Sequence, residues 1–556
     1  MDLSKLLEPI KVGEVILRNR IAMSPMISNL GTPEGYPSDA HIAYLAERAK
    51  GGVGLIITEY TYVNRTDARG SVNELGMYSD ELTPKFMRLT EMIHALGSKI
   101  FVQLVHVGRK TRRDIIWGNT PIAPSPIPIM DEVREMTKDD IERVKNDFVN
   151  ASIRAKRAGF DGIELHGAHG YLLAQFFSPA TNKRADEYKD GVRFAEEILK
   201  SIKEKAKITV GIRISVTEFD NEGLTPEMVA EISKRLEKAG IDYIHLSAGR
   251  DGPLGSSMPY YYKRVSFLEY AKVVRDAIKV PLFLVGSIIT PEEALKVRDV
   301  ADVVVLGRQL LADPHWLNKA IKGLPIRPCI RCNQSCRGVV YKEVRCDVNP
   351  ELGWELLPPL EKGKGEVAVV GGGVMGLEAA RVLALRGFTV TLYEQNNKLG
   401  GQFLLLKDPW KINEFNELIK YYERELRRLN VEIKLNTKME CSDCILAVPD
   451  YEIPKMPEVK GERILIDSNI YAYHDYAFEL AKYNEVYMTE RSFKGLDRTR
   501  EYLLRNSLSQ AGVKFIEESN GMKFDLEIHN IVDDQPTIGK AIQRGYWIGR
   551  TYKLQF

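Results

Sequence analysis

The chain has 556 residues, 44% hydrophobic and 28% charged, the make-up of a well-packed protein of about three or four domains, not a disordered or fibrous chain. Lys and Arg number 78 and Asp and Glu 76, a net charge of +2, which gives no support for a nucleic-acid or membrane-surface partner. The opening MDLSKLLEPIKVGE has no apolar stretch of signal-peptide type, and no apolar run reaches the ~18 residues of a membrane span, so a cytoplasmic protein is expected.

Up to about residue 325, short β-type runs alternate with amphipathic helical runs. The strand candidates are RIAMSPM (20–26), VGLIITEY (53–60), KIFVQLVH (99–106), GIELHGA (162–168), TVGIRIS (209–215), YIHLSAG (243–249), PLFLVGSI (281–288) and DVVVLGR (302–308). Between them lie helical patterns such as AHIAYLAERAKGG, LTPKFMRLTEMIHALG and TPEMVAEISKRLEKAG. The last two open with a cap or first-turn Pro and close near Gly. Eight such units predict an α/β fold that begins with a (β/α)8 TIM barrel, whose chemistry sits at the C-terminal strand ends. Those ends carry Ser24, Pro25 and Met26, then Thr58, Gln103, Arg213, Gly286, Ser287, Gly307 and Arg308. Glycines and a cation after strands 7 and 8 match the usual barrel phosphate site, and an Arg inside strand 5 is costly unless it meets an anion or polarised ligand. After strand 4 come His166, His169 and Tyr171. Imidazoles there can donate to a carbonyl oxygen and a phenol can deliver a proton. A His-x-x-His metal pair or packed histidines remain open as alternatives.

Beyond the barrel, Cys329, Cys332, Cys336 and Cys346 crowd into 18 residues. Four thiolates at this spacing suit a 4Fe–4S cluster, with structural zinc and unligated cysteines as the rivals. The linker LLPPLEKGKGE (356–366) follows. Then comes a compact βαβ unit with Gly371, Gly373 and Gly376 between a strand and a helix, and Glu394 closing the second strand. The glycines allow a pyrophosphate onto the helix N-terminus and the acid can accept from a ribose hydroxyl. A second βαβ-like stretch runs over 463–516. The predicted domains are thus 1–325, 326–362, 363–460 together with 517–556, and 461–516. Arg109, Lys110, Arg112 and Arg113 read as a solvated basic loop, and Cys441 and Cys444 as structural cysteines.

The barrel resembles the Old Yellow Enzyme family of FMN-dependent oxidoreductases through LRNRIAMSPM, QLVHVGR, PIAPSPIP, AGFDGIELHGAHGYLLAQFFSPATNKRADEY, GIRIS and VVLGRQLLADP. The Cys segment and GGGVMGLEAARVLALRGFTVTLYE with its LGGQ extend the likeness to the 2,4-dienoyl-CoA reductase and trimethylamine dehydrogenase group. The resemblance implies FMN lined by Ser24, Pro25, Met26 and Thr58, with Gln103 on the pyrimidine edge, Arg213 beside N1 and C2=O, and Gly286, Gly307 and Arg308 at the phosphate. It implies a substrate carbonyl gripped by His166 and His169, Tyr171 as proton donor, the 4Fe–4S cluster, and FAD at Gly371, Gly373, Gly376, Glu394 and Gln402. Electrons would pass from NAD(P)H through FAD and the cluster to FMN, and on to an enone or acyl-CoA substrate.

The departures matter. No Cys precedes Cys329, so the covalent FMN linkage of the amine dehydrogenases is impossible, and His166 stands where they carry Tyr. In the second nucleotide lobe ILIDSNIYAYHDYAFEL has no glycine, LAVPD (446–450) replaces the flavin-binding ATG motif, and Asp533-Asp534 replaces the terminal Gly-Asp. That lobe is therefore read as degenerate. An outward-running dehydrogenase serving an external electron-transfer flavoprotein is one alternative. The other is a simple ene-reductase whose C-terminal third is a structural or docking module. Homo-oligomerisation is left open.

Overall fold

A computed structural model describes residues 1–518 and 521–553. Eight parallel strands close a barrel: β1 (Ile21–Met23), β2 (Leu55–Tyr62), β3 (Lys99–Val105), β4 (Gly162–Gly167), β5 (Thr209–Ser215), β6 (Tyr243–Ser247), β7 (Leu282–Leu284) and β8 (Val303–Leu306). Closure comes from β1, which pairs with both β2 and β8. All eight predicted strands are present. Their side chains alternate between the barrel interior and the surrounding helices, as the two-residue period of a strand requires.

The interior is layered. Phe101, Tyr243 and Phe283 fill its lower part, with Tyr243 stacked on Phe283 at a centroid distance of 4.2 Å. Gly211 makes this possible, because a β-carbon there would lie 2.0 Å from the Tyr243 ring. The hairpin Ile10–Val12 and Val15–Leu17 closes the floor with Val12, Val15 and Leu17. Two residues further along their strands, Gln103, Glu164, Arg213 and His245 form a buried polar layer beneath the mouth.

Two four-stranded parallel sheets follow. The first holds β9 (Glu366–Val370), β10 (Thr389–Tyr393), β11 (Glu432–Lys434) and β12 (Ile445–Leu446), ordered β11-β10-β9-β12. The second holds β13 (Arg463–Ser468), β14 (Glu485–Thr489), β15 (Lys514–Ile516) and β16 (Leu526–Asn530), ordered β15-β14-β13-β16. The sequence-based boundary at 517 is therefore corrected: β16 pairs with β13 across five residues and belongs to the second sheet. Its alternating Leu-Glu-Ile-His-Asn pattern is half-exposed and carries little apolar signal. Only the helix 538–551 returns to the first sheet, and residues 554–556 of the range assigned there lie outside the described residues.

Of the five α-helices described in this half, four carry the packing followed below: α1 (Val374–Arg386), α2 (Pro409–Arg428), α3 (Arg498–Gln510) and α4 (Ile538–Thr551). The last three start at side-chain caps, Asp408, Asp497 and Thr537, each accepting from backbone N–H groups of its first turn. Helix α4 lies directly on α1, because β-carbons at Gly545 and Gly549 would stand 2.2 Å from the Met375 carbonyl and 2.7 Å from Val382. Among the described residues no helix is long and apolar enough to cross a membrane.

Candidate active site

The site grows out of the polar layer. Glu164, wholly buried, accepts from Gln103 Nε2 at 2.7 Å, the Tyr243 hydroxyl at 3.0 Å and His245 Nδ1 at 2.9 Å. Burial works to raise its carboxyl, but His245 and Arg213 outweigh it and leave the group below its ordinary range. Arg213 faces this anion. Burial brings its guanidinium down to about 10, Glu164 opposes the shift, and the group stays cationic at neutral pH. Its terminal nitrogens reach the Ser24 Oγ at 3.3 Å, the Pro25 carbonyl at 3.4 Å and the Ser247 Oγ at 3.4 Å. Its Nε is buried without a partner, an unusual cost that a hydrogen-bond acceptor at the mouth would remove.

One step higher, His166, His169 and Tyr171 come together as the sequence suggests. The His166 ring stands edge-on to Tyr171 at 4.7 Å and to His169 at 5.1 Å. His169 takes a left-handed backbone conformation, φ 59°, which turns it back over the mouth. Burial, then Arg213, holds both imidazoles well below their ordinary range, so both are neutral. Their tautomers follow from their neighbours. His166 Nδ1 accepts from the Ala168 N–H at 3.3 Å, which leaves the proton on Nε2. Ser247 Oγ receives Arg213 and lies 2.7 Å from His169 Nε2; where its hydroxyl donates to that nitrogen, the His169 proton sits on Nδ1. The two neutral rings thus stand side by side at the barrel mouth. Burial pushes the Tyr171 phenol up to about 12, and it carries its proton at neutral pH.

The remaining barrel residues fit a flat ring with an anionic tail. Ser24, Pro25 and Met26 end β1, and a β-carbon at Gly307 would stand 3.5 Å from the Met26 sulfur and 3.8 Å from Ser24, filling the gap the glycine leaves. Gly286 sits at φ 139°, and its missing side chain would strike Phe267 at 2.6 Å. Thr58 lies in a bulge where β2 slips against β3 between Ile57 and Tyr60. The Arg308 side chain turns away, to Asn333 Oδ1 at 2.5 Å, the Met258 carbonyl at 2.8 Å and Ser287 Oγ at 3.2 Å. It links the strand-8 end to the Cys segment.

The basic loop is corrected in part. Arg112 and Arg113 are exposed, but Arg109 is buried against Asp251 at 2.5 Å, and Lys110 Nζ donates to the His169 and Arg250 carbonyls at 2.6 and 2.9 Å. Lys110 lies 5.3 Å over the Tyr171 ring. Sequence reasoning also missed Tyr60, Ser215, His245 and Ser247. The last three share the inward two-residue period of β5 and β6 with Arg213 and Tyr243, a signal readable once one inward residue is known.

Cys329, Cys332, Cys336 and Cys346 line one small enclosed space together with Arg308 and Asp347. Among the described residues no three His, Cys, Asp or Glu side chains converge as a metal ion would need. In the first sheet domain Gly371 (φ 114°) and Gly376 pack so closely that a β-carbon at Gly376 would lie 1.9 Å from the Gly371 carbonyl. Gly373 is the residue before α1, and a β-carbon on the facing Gly401 would lie 2.9 Å from its Cα. Glu394 accepts from the Gly372 N–H at 2.7 Å and from Asn396, so it also holds the loop. Gln402 donates to the exposed Tyr451 hydroxyl at 2.7 Å. Cys441 and Cys444 form a disulfide. In the second lobe, Asp467, at the end of β13, is taken up by Thr489, Arg491 and His529, and Asn469 by the Val532 carbonyl.

Residues 5–327 match the NADH:flavin oxidoreductase / NADH oxidase family, and residues 365–473 the pyridine nucleotide-disulphide oxidoreductase family. An NADH oxidase of Thermoanaerobacter brockii is 38% identical over 484 residues, 81% of this chain and 73% of its own. A cinnamate reductase of Clostridium sporogenes is 35% identical, over 78% of this chain and 70% of its own. The fold is shared with a 2-naphthoyl-CoA reductase in complex with 2-naphthoyl-CoA, at TM-score 0.90, 24% identity and coverage of 99% and 100%. By these matches the chain belongs to the NADH:flavin oxidoreductase / NADH oxidase family, as a flavin barrel joined to a dinucleotide-binding domain.

Proposed function

We propose that the protein is an iron–sulfur flavoprotein that reduces an activated C=C bond, in a 2,4-dienoyl-CoA or another α,β-unsaturated thioester or carbonyl. The observation that carries this is the convergence of two neutral imidazole donors and one protonated phenol on a single mouth. FMN, held by Ser24, Pro25, Met26, Thr58, Gln103, Arg213, Gly286 and Gly307, supplies hydride when bound. His166 Nε2–H and His169 Nδ1–H donate to the substrate carbonyl oxygen, where negative charge develops as hydride arrives. Tyr171 gives its proton to the carbon next to that carbonyl. Arg213, braced by Glu164, keeps a fixed positive charge under the mouth.

NAD(P)H is the electron source in this reading. Gly371, Gly373, Gly376 and Glu394 would hold FAD, and the four cysteines would hold a 4Fe–4S cluster, which would supply one-electron transfer. The shared enclosure of the thiols supports a cluster, and relatives named as cinnamate and 2-naphthoyl-CoA reductases support the reaction class. The test is anaerobic purification with counts of FMN, FAD and iron, then NAD(P)H-dependent turnover of cinnamate and of an enoyl-CoA. About one FMN, one FAD and four irons per chain, with turnover, is the expected result. FMN alone, or no reduction of either substrate, overturns it.

The glycine-free start of the second lobe, with Asp467 already paired by Thr489 and Arg491, favours one other reading, an outward-running dehydrogenase that passes electrons to an external flavoprotein. A 31% identical relative is named an N,N-dimethylglycine/sarcosine dehydrogenase. Bleaching of the flavin by an N-methylated amine, with no bleaching by NAD(P)H, would establish it.

A further inference from the structure

Behind Tyr171 lies a buried acid that the proposed chemistry does not use. Tyr60, at the end of the β2 bulge, sets its ring edge-on to Tyr171 with centroids 5.5 Å apart. The far side of the Tyr60 hydroxyl faces Gly70. A β-carbon at Gly70 would lie 3.3 Å from that hydroxyl and 3.4 Å from Glu74 Oε2. The absent side chain therefore leaves the phenol and the carboxyl facing one space.

Glu74 is wholly buried. Its Oε2 accepts from the N–H groups of Gly70 at 2.6 Å and Ser71 at 3.1 Å, while Oε1 has no partner. The nearest cation, Arg69, spends its donors on the Ser71 and Val72 carbonyls. A buried carboxylate with no ion pair is strongly disfavoured, and the group takes up a proton instead. Burial accordingly pushes the Glu74 carboxyl well up against the pull of the two N–H groups and Arg69, and Glu59 pushes the same way. Tyr62 is the other titratable group facing it.

We propose that Glu74 and Tyr60 form a proton relay that supports and reloads Tyr171, an inference that rests on Tyr171 being the proton donor. As the Tyr171 O–H bond breaks toward substrate carbon, the Tyr60 hydroxyl donates to the Tyr171 oxygen and its proton follows. The Glu74 carboxyl then gives its proton to Tyr60, and solvent reprotonates the Glu74 carboxylate. Three O–H bonds break, one C–H and two O–H bonds form, and solvent restores the third O–H. No electron moves within the relay, because reduced flavin supplies the hydride.

The experiment takes FMN-loaded protein reduced with dithionite under anaerobic conditions. It is mixed with cinnamate or with ferricyanide, which accepts single electrons and needs no proton from Tyr171. Tyr60→Phe and Glu74→Gln should each slow reoxidation by cinnamate at least about 10-fold and leave reoxidation by ferricyanide unchanged. In mixed H2O and D2O the wild-type rate should bow against deuterium content, as when more than one proton moves, and Tyr60→Phe should make it linear. An infrared carbonyl stretch of a protonated carboxyl should be lost in Glu74→Gln, whatever the turnover. A variant with the wild-type cinnamate rate, equal slowing with both oxidants, a linear wild-type plot or no such band overturns the relay. Full activity of Tyr171→Phe toward cinnamate, or none in the wild type, instead overturns the proposed function and the relay with it.

Discussion

Glu164 shows how one side chain fixes a site it does not enter. It holds Gln103, Tyr243 and His245 at once and faces Arg213, so its loss would strand a buried cation. Glu164→Gln should therefore weaken FMN retention, read by flavin released on dilution, more than Tyr171→Phe does. Tyr171→Phe should keep its flavin and lose about 10²- to 10⁴-fold in enone reduction, the usual yield of a positioned acid. The two histidines give a pH signature. Their folded values lie below the ordinary ~6.5, so the unfolded chain binds more protons as pH falls under that value and stability drops with it. Tm should decline on acidification below about pH 6.5, and a His166→Asn, His169→Asn variant should decline less. Activity should show no acid limb at ~6.5, because the donors are already neutral there.

At the scale of elements, the barrel was legible because each strand is a nearly continuous apolar run between capped helices. The inner polar layer was legible only in part. Arg213 stood out as a cation in a strand, whereas Tyr60 depends on a register slip in β2 that no local pattern announces. Lys110 was missed because a run of four cations reads as solvated, and only the fold brings Asp251 and the His169 carbonyl to it. Strand β16 was misplaced for the opposite reason, since its pairing lies in the backbone and its side chains are half-exposed. Close packing between elements makes its own prediction. Gly211→Ala would drive a methyl into the Tyr243 ring and should cost about 1–3 kcal/mol by overpacking, measurable as a lower midpoint in denaturant without a change in slope.

Across the whole molecule, a few buried ion pairs tie the Cys segment to everything around it. Arg327 pairs with Glu378 of α1, and Arg331 with Glu414 of α2. Arg500 of α3 reaches the Cys332 carbonyl and Gln334. Burial works to raise the Glu378 carboxyl, but Arg327 and Arg381 bring it down to about 2. Glu378→Gln leaves both guanidiniums in a dry interface and should cost about 3–5 kcal/mol. Calorimetry should show it as earlier melting of the C-terminal half, with the barrel transition unmoved.

The return of α4 to α1 has a consequence in time. The second lobe is an insert within the domain of the first sheet, and synthesis delivers all of it before α4 exists. The barrel, whose neighbouring units are adjacent in sequence, can assemble as it emerges. The first sheet cannot finish with it, because the face of α1 around Met375, Ala379 and Val382 stays bare until Gly545 and Gly549 arrive. The dinucleotide domain is thus begun before the second lobe and completed after it, and its exposed helix is the surface a chaperone would meet on the nascent chain.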